Sequence, residues 1–297
     1  MMLNTRILGW LIALLSASCS EDSISTDEVA TVRFKDPILV TIQGYEGHVM
    51  EPFLSRDGTK LFFNNLNTPT ENTNLYWCTK INDMLFQYEG EVDNVNTPSL
   101  EGVPTMDKDN RFYFVYTGEY EATLASIYQG EFSDGGLSNP VVVDNISKNM
   151  MGWVNFDVEV TEDGKTLYFV DGRFDSSGGP HEANIVIAQK EGNQFARVDN
   201  SGEILQEINT DALEYAAAIT KDELEICFTR VAPPLTSESS PKIYIASREN
   251  TQAPFTNVHL VENLTGFVEA ATYTPDDQAM YFHKKEEGLH RLYYVQK

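Results

Sequence analysis

Five times along the 297-residue chain a short polar stretch tightens into a turn and runs straight into an apolar, aromatic-rich triplet. The stretches read "SRDGTKLFF", "DKDNRFYF", "TEDGKTLYF", "TKDELEICF" and "TPDDQAMYF", and their triplets begin at Leu61, Phe112, Leu167, Ile226 and Met280, spaced 51 to 59 residues apart. Such a period exceeds most helical repeats and suits the four-stranded blades of a propeller. Other strands fall into register around each stretch. An inner strand precedes the turn ("EPFLS", "VPTM", "FDVEV", "AAAIT", "AATYT"), a third follows a polar loop ("NLYWC", "SIYQG", "NIVIA", "KIYIA", "RLYYV"), and a weaker fourth comes after it ("FQYEGEV", "NPVVV", "FARV", "FTNVHLV"). Short strands with turn signals between them and almost no 3.6-residue periodicity predict an all-β array.

The last repeat reaches Lys297 after only three strands. "FKDPILVTIQGYEGHVME" from Phe34 lines up with "FTNVHLVENLTGFVEA" from Phe255, so the N-terminal segment is predicted to supply the missing outer strand. Closing the array in this way removes exposed sheet edges. The expected fold is a five-bladed β-propeller over residues 31–297, closed by an N-terminal strand in the last blade, and the expected state is a monomer. The tetrads resemble the WD40-like TolB-type propeller repeat, in which Ser-Pro-Asp-Gly precedes an apolar strand; "SRDG" and "TEDG" keep the Gly and "TKDE" and "DKDN" depart from it. "VNTPSLEGVPTMDKDNRFYF" is similar to the "NT…E…P" form of these repeats in envelope proteins. The resemblance implies architecture more than chemistry.

Residues 1–18 carry Arg6, an apolar run from Ile7 to Leu15 and then small residues, too short for a membrane span of about 20 apolar residues and suited to a signal core. With Cys19 directly after "LSAS", the run resembles a bacterial lipoprotein signal, although Ser16 stands where that family usually has Leu. The resemblance implies a lipid anchor on Cys19, a tether over 19–30 and a place in the outer membrane of a Gram-negative cell, with "SEDS" similar to surface-export signals. Ordinary secretion with Cys19 discarded is the alternative. Cys78 and Cys227 sit in apolar strands with no metal-binding spacing and are expected to be core thiols.

Charge narrows the partners. Lys and Arg number 21 against 45 Asp and Glu, a net charge of −24, which repels nucleic-acid phosphate. Near the start of each inner strand stands one acid, Glu51, Glu101, Asp157, Glu214 or Glu269, with Trp153, Tyr215 and Phe267 beside them. Converging on an axis, they could grip a polar ligand, the aromatics offering a flat surface to a sugar; simple solvation of polar strand starts is the alternative. Arg173, Arg230 and Lys284 follow corresponding strands and could bind an anion or pair with nearby acids. No metal, cofactor, nucleophile elbow, phosphate loop or HExxH motif is expected, the five histidines being scattered along the chain. The expected function is a binding module for a glycan or an envelope protein. The alternative is hydrolysis: two segments faintly resemble five-bladed arabinanase-type glycosidases, whose carboxylates flank the scissile bond.

Overall fold

The computed structural model describes residues 34–67, 72–236 and 239–297; the expected signal segment, Cys19 and the expected tether lie outside the described residues. The recurring tetrad is a hydrogen-bonded clasp. Ser55 Oγ donates to Asp57 Oδ1 (2.6 Å), the same oxygen accepts the Thr59 N–H (3.0 Å), and the Lys60 N–H returns to Ser55 Oγ (2.9 Å). The clasps at Thr161, Thr220 and Thr274 repeat all three bonds. In the second repeat Asp107 takes the place of Ser or Thr and itself accepts the N–H groups of Asp109 and Arg111, both at 2.9 Å. The fourth clasp residue has φ between +57° and +71° in every repeat, whether Gly58, Asn110, Gly164, Glu223 or Asp277. The Gly is therefore one way to relieve a left-handed backbone that the other repeats accept at roughly 1 kcal/mol.

Two short strands open the described chain, β1 (Ile38–Leu39) and β2 (Thr41–Gln43). The first antiparallel meander is β3 (Met50–Leu54), β4 (Lys60–Asn64), β5 (Leu75–Asn82) and β6 (Leu85–Glu91). The second is β7 (Glu101–Met106), β8 (Arg111–Tyr116), β9 (Ile127–Ser133) and β10 (Gly136–Val142). The third is β11 (Trp153–Val160), β12 (Thr166–Asp175), β13 (Gly178–Glu191) and β14 (Gln194–Arg197). The fourth is β15 (Leu213–Ile219), β16 (Glu225–Val231), β17 (Lys242–Ser247) and β18 (Thr256–Leu260). The last has three consecutive strands, β19 (Phe267–Tyr273), β20 (Ala279–Glu286) and β21 (Leu289–Gln296), and β1 completes it by pairing antiparallel with β21 at Ile38↔Tyr294 and Leu39↔Tyr293. β2 pairs instead with β6, in parallel, so one N-terminal stretch is bonded to both the first and the last meander.

Hydrogen bonding divides these strands into four sheets, the third and fourth meanders sharing one through a parallel bridge from Ala183 to Leu213, and packing joins the sheets. The inner strands β3, β7, β11, β15 and β19 each touch the next, and β19 touches β3. Between meanders lie the triplet aromatics. Phe62 meets Phe112 and Phe132 edge-on at 5.1 and 4.9 Å, and Tyr281 meets Phe86 at 5.6 Å across the junction of last and first. Such pairs add about 0.5–1.5 kcal/mol to the area they bury. Cys78 and Cys227 are buried free thiols, and burial pushes both up to about 12. The architecture is all-β and propeller-like. The clasps share one end, where the Lys108 N–H donates to Glu162 O (3.0 Å) and the Lys221 N–H to Asp277 Oδ2 (3.2 Å). The loops that lead into the inner strands occupy the other.

Candidate functional site

Every inner strand is broken by a bulge at the same place, and the bulged residues, Glu51, Val103, Asp157, Ala216 and Ala270, have φ between +49° and +55°. A bulge takes its N–H out of the ladder, and a buried N–H needs another acceptor. Asn64 Oδ1 accepts from Val103 (2.9 Å), Thr229 Oγ1 from Ala270 (3.0 Å) and His283 Nδ1 from Glu51 (3.0 Å). These three acceptors share one position, directly after the aromatic triplet of the preceding meander. The second and third meanders have Val115 and Val170 there, which can accept nothing, and the Ala216 N–H bonds to the Asp157 carboxylate instead. Polar latches thus join four of the five pairs of neighbouring meanders near the axis.

The bulge separates the five predicted acids. Glu101 and Glu214 stand two residues before it, are fully buried, and each clamps the Thr four residues upstream. Glu101 takes the Thr97 N–H (2.9 Å) and hydroxyl (2.6 Å), and Glu214 takes those of Thr210 (3.1 and 2.6 Å). Asn96 and Asn209, just upstream, bracket the backbone N–H and C=O of Leu75 and Ile185. The "NT…E" pattern is thereby a staple between a loop and the third strand of the preceding meander. Arg230 belongs to the same staple: Nε donates to Glu214 (2.7 Å), Nη2 donates to Ile208 O (2.7 Å), and the guanidinium lies 4.7 Å from the Tyr244 ring centroid. Arg173 pairs with Glu182 on the part-exposed end of β12 and β13. Lys148 Nζ sits 3.2 Å from the centroid of the Trp153 ring and covers one of its faces.

Glu51, Asp157, Glu269 and Tyr215 do come together. Tyr215 Oη donates to Glu269 Oε2 at 2.8 Å, and His283 Nε2 lies 3.2 Å from Oε1. Because His283 Nδ1 accepts the Glu51 N–H, the ring proton is on Nε2 and is donated to Glu269. Burial, with the charges of Glu51 and Glu269, holds Asp157 well above the usual carboxylate range, and burial also raises Glu51 to about 6. Burial acts on Glu269 in the same direction, but the bonds from His283 and Tyr215 outweigh it and leave Glu269 below its ordinary value. Three of the five histidines, far apart along the chain, line up here, His283 lying 5.1 Å and His48 5.6 Å from His290 between ring centroids. Burial pushes His290 down to about 3, so its ring stays neutral. His283 had a sequence signal, its place after a triplet; His48 and His290 had none.

Below the bulges Glu51, Asp157, Glu159 and Thr272 line an axial cavity of about 30 Å³. That volume admits a water-sized occupant. Among the described residues no group of three or more His, Cys, Asp or Glu could hold a metal ion.

No protein-family profile and no curated protein matches the chain. Solved structures do. A structure described as a glycoside hydrolase matches with a TM-score of 0.58 at 12% identity, over 89% of this chain and 91% of that one. A thermostable family-43 glycoside hydrolase matches with a TM-score of 0.54 at 11% identity, over 87% and 91%. TolB from Acinetobacter baumannii is also similar, with a TM-score of 0.45 at 16% identity over 84% of this chain, which spans 55% of the TolB chain. At these identities the hydrolase likeness is one of fold, and it agrees with the propeller-like architecture.

Proposed function

We propose that this chain is a five-bladed β-propeller closed by its N-terminal strand, and that it is a glycan-binding module of the cell envelope, anchored through Cys19. The observation that carries the binding reading is the withdrawal of the axial carboxylates. Asp157 and Glu269 are 4% and 7% exposed, and the cavity beneath them is about 30 Å³. Small-molecule sites occupy about 300 Å³ or more. A sugar ring therefore has no access to a pair of carboxyls, and recognition falls to the loop end, where Met150 and Met151 are 56% and 63% exposed beside the part-buried Trp153.

Hydrolysis is the second reading, and one observation favours it. Asp157 is driven up and Glu269 down, the separation that assigns an acid and a base in an active site. The likeness to glycoside hydrolases fits both readings. Affinity electrophoresis through gels cast with arabinan, galactan, xylan and host glycans tests the binding reading. Retarded migration in at least one gel is expected, and unchanged migration in all of them would overturn it in favour of a protein partner.

A further inference from the structure

Between Val40 and Val49 the chain leaves the last meander and returns to it. The Val40 N–H donates to Leu292 O and the Val49 N–H to His290 O, both at 2.9 Å, whereas Thr41–Gln43 between them run along β6 of the first meander. The arch spreads the seam open and leaves a pocket of about 370 Å³. It falls in the range of about 300–1,000 Å³ typical of small-molecule sites, unlike the axial cavity.

The wall chemistry is mixed in a specific way. Val40, Ile42, Val49 and Leu292 give buried apolar surface. Around it stand Glu46, an acceptor, and Arg291, a donor, and neither forms an ion pair among the described residues. His290 also lines the pocket; it is 4% exposed, and its unpartnered Nδ1 is closed off from solvent, so its ring reports on an occupant without bonding to it. A purely apolar ligand would cover Glu46 and Arg291 without pairing them, at the desolvation cost of each. An anion or a cation would meet one wall charge of its own sign. A ring with hydroxyls that both give and accept hydrogen bonds, and a C–H face to lay on the aliphatic wall, suits Glu46, Arg291 and the wall together.

We infer that the seam pocket is a saccharide subsite for one or two sugar rings, a conclusion that rests on the glycan-binding reading and adds to the loop end a second contact at the junction of first and last meander. Isothermal titration with arabinobiose, galactobiose, xylobiose and cellobiose tests it on the unaltered chain and on Glu46→Ala and Arg291→Ala, both near the surface and outside the axial cluster. At least one disaccharide should bind, and each substitution should weaken it roughly tenfold or more. Its addition should also shift the imidazole ¹⁵N resonances of His290 in the unaltered chain. A double variant that binds within twofold of the parent, with those resonances unmoved, would overturn the subsite while leaving glycan binding intact. An unaltered chain that binds no disaccharide and no polysaccharide would overturn both.

Discussion

Deleting residues 34–40 is expected to abolish cooperative melting or to lower the midpoint by well over 10 °C, with aggregation on heating. The segment covers β21 through Lys35 N–H to Gln296 O (2.8 Å) and Val40 N–H to Leu292 O (2.9 Å), and the Asn263 side chain donates to Phe34 O (3.1 Å). Phe34 packs on the core between the last two meanders, and Val40 is 6% exposed. Losing the buried Val40 side chain costs about 1.5–3 kcal/mol, and losing the half-buried Phe34 adds a part of that amount. Exposing β21 as an open edge and unlinking the first meander from the last add to this, against a total stability of about 5–15 kcal/mol. A control separates closure from side-chain burial: Ile38 and Leu39 are 51% and 48% exposed, so replacing both by Ala should change the midpoint little. A deleted chain that melts within a few degrees of the parent would show that this segment is not the closing strand.

The second large effect concerns two arginines that look alike in sequence. Arg230→Ala is expected to cost about 3–5 kcal/mol, because it strips the partner from a buried carboxylate. Glu214 and Arg230 have side-chain exposures of 0% and 15%, whereas Glu182 and Arg173 have 48% and 38%. Arg173→Ala should therefore cost about 0–1 kcal/mol. Urea denaturation of the two variants measures the difference. Equal and small losses, together with lost glycan retention in Arg230→Ala, would return Arg230 to the ligand surface.

Both arginines lie toward the ends of second strands, β12 and β16, and that similar placement hides their difference. Strand order and clasps were legible because each rests on local chemistry repeated five times, a hydroxyl (Asp107 in the second repeat) and an Asp around a turn, then apolar and aromatic residues; the N-terminal strand that pairs with β21 was legible from its likeness to the segment at Phe255. The bulges were not, since Glu51, Val103, Asp157, Ala216 and Ala270 have no residue type in common. Aligning the repeats on their acids therefore placed Glu101 and Glu214 beside Glu51, when they stand two residues earlier and face a Thr. The meeting of His48, His283 and His290 depends on the junction of first and last meander, a contact between chain ends that no local pattern announces. The seam pocket escaped for the same reason.

The reading of the axial carboxylates as internal groups is tested most directly by following new reducing ends while the purified protein stands with each polysaccharide that retards it, beside Glu51→Gln and Asp157→Asn. Removing an essential carboxyl lowers a rate by orders of magnitude. The predicted result is retention with no release above the buffer control in any of the three proteins. Release by the unaltered chain that either substitution abolishes would contradict it and make the axial acids a catalytic pair.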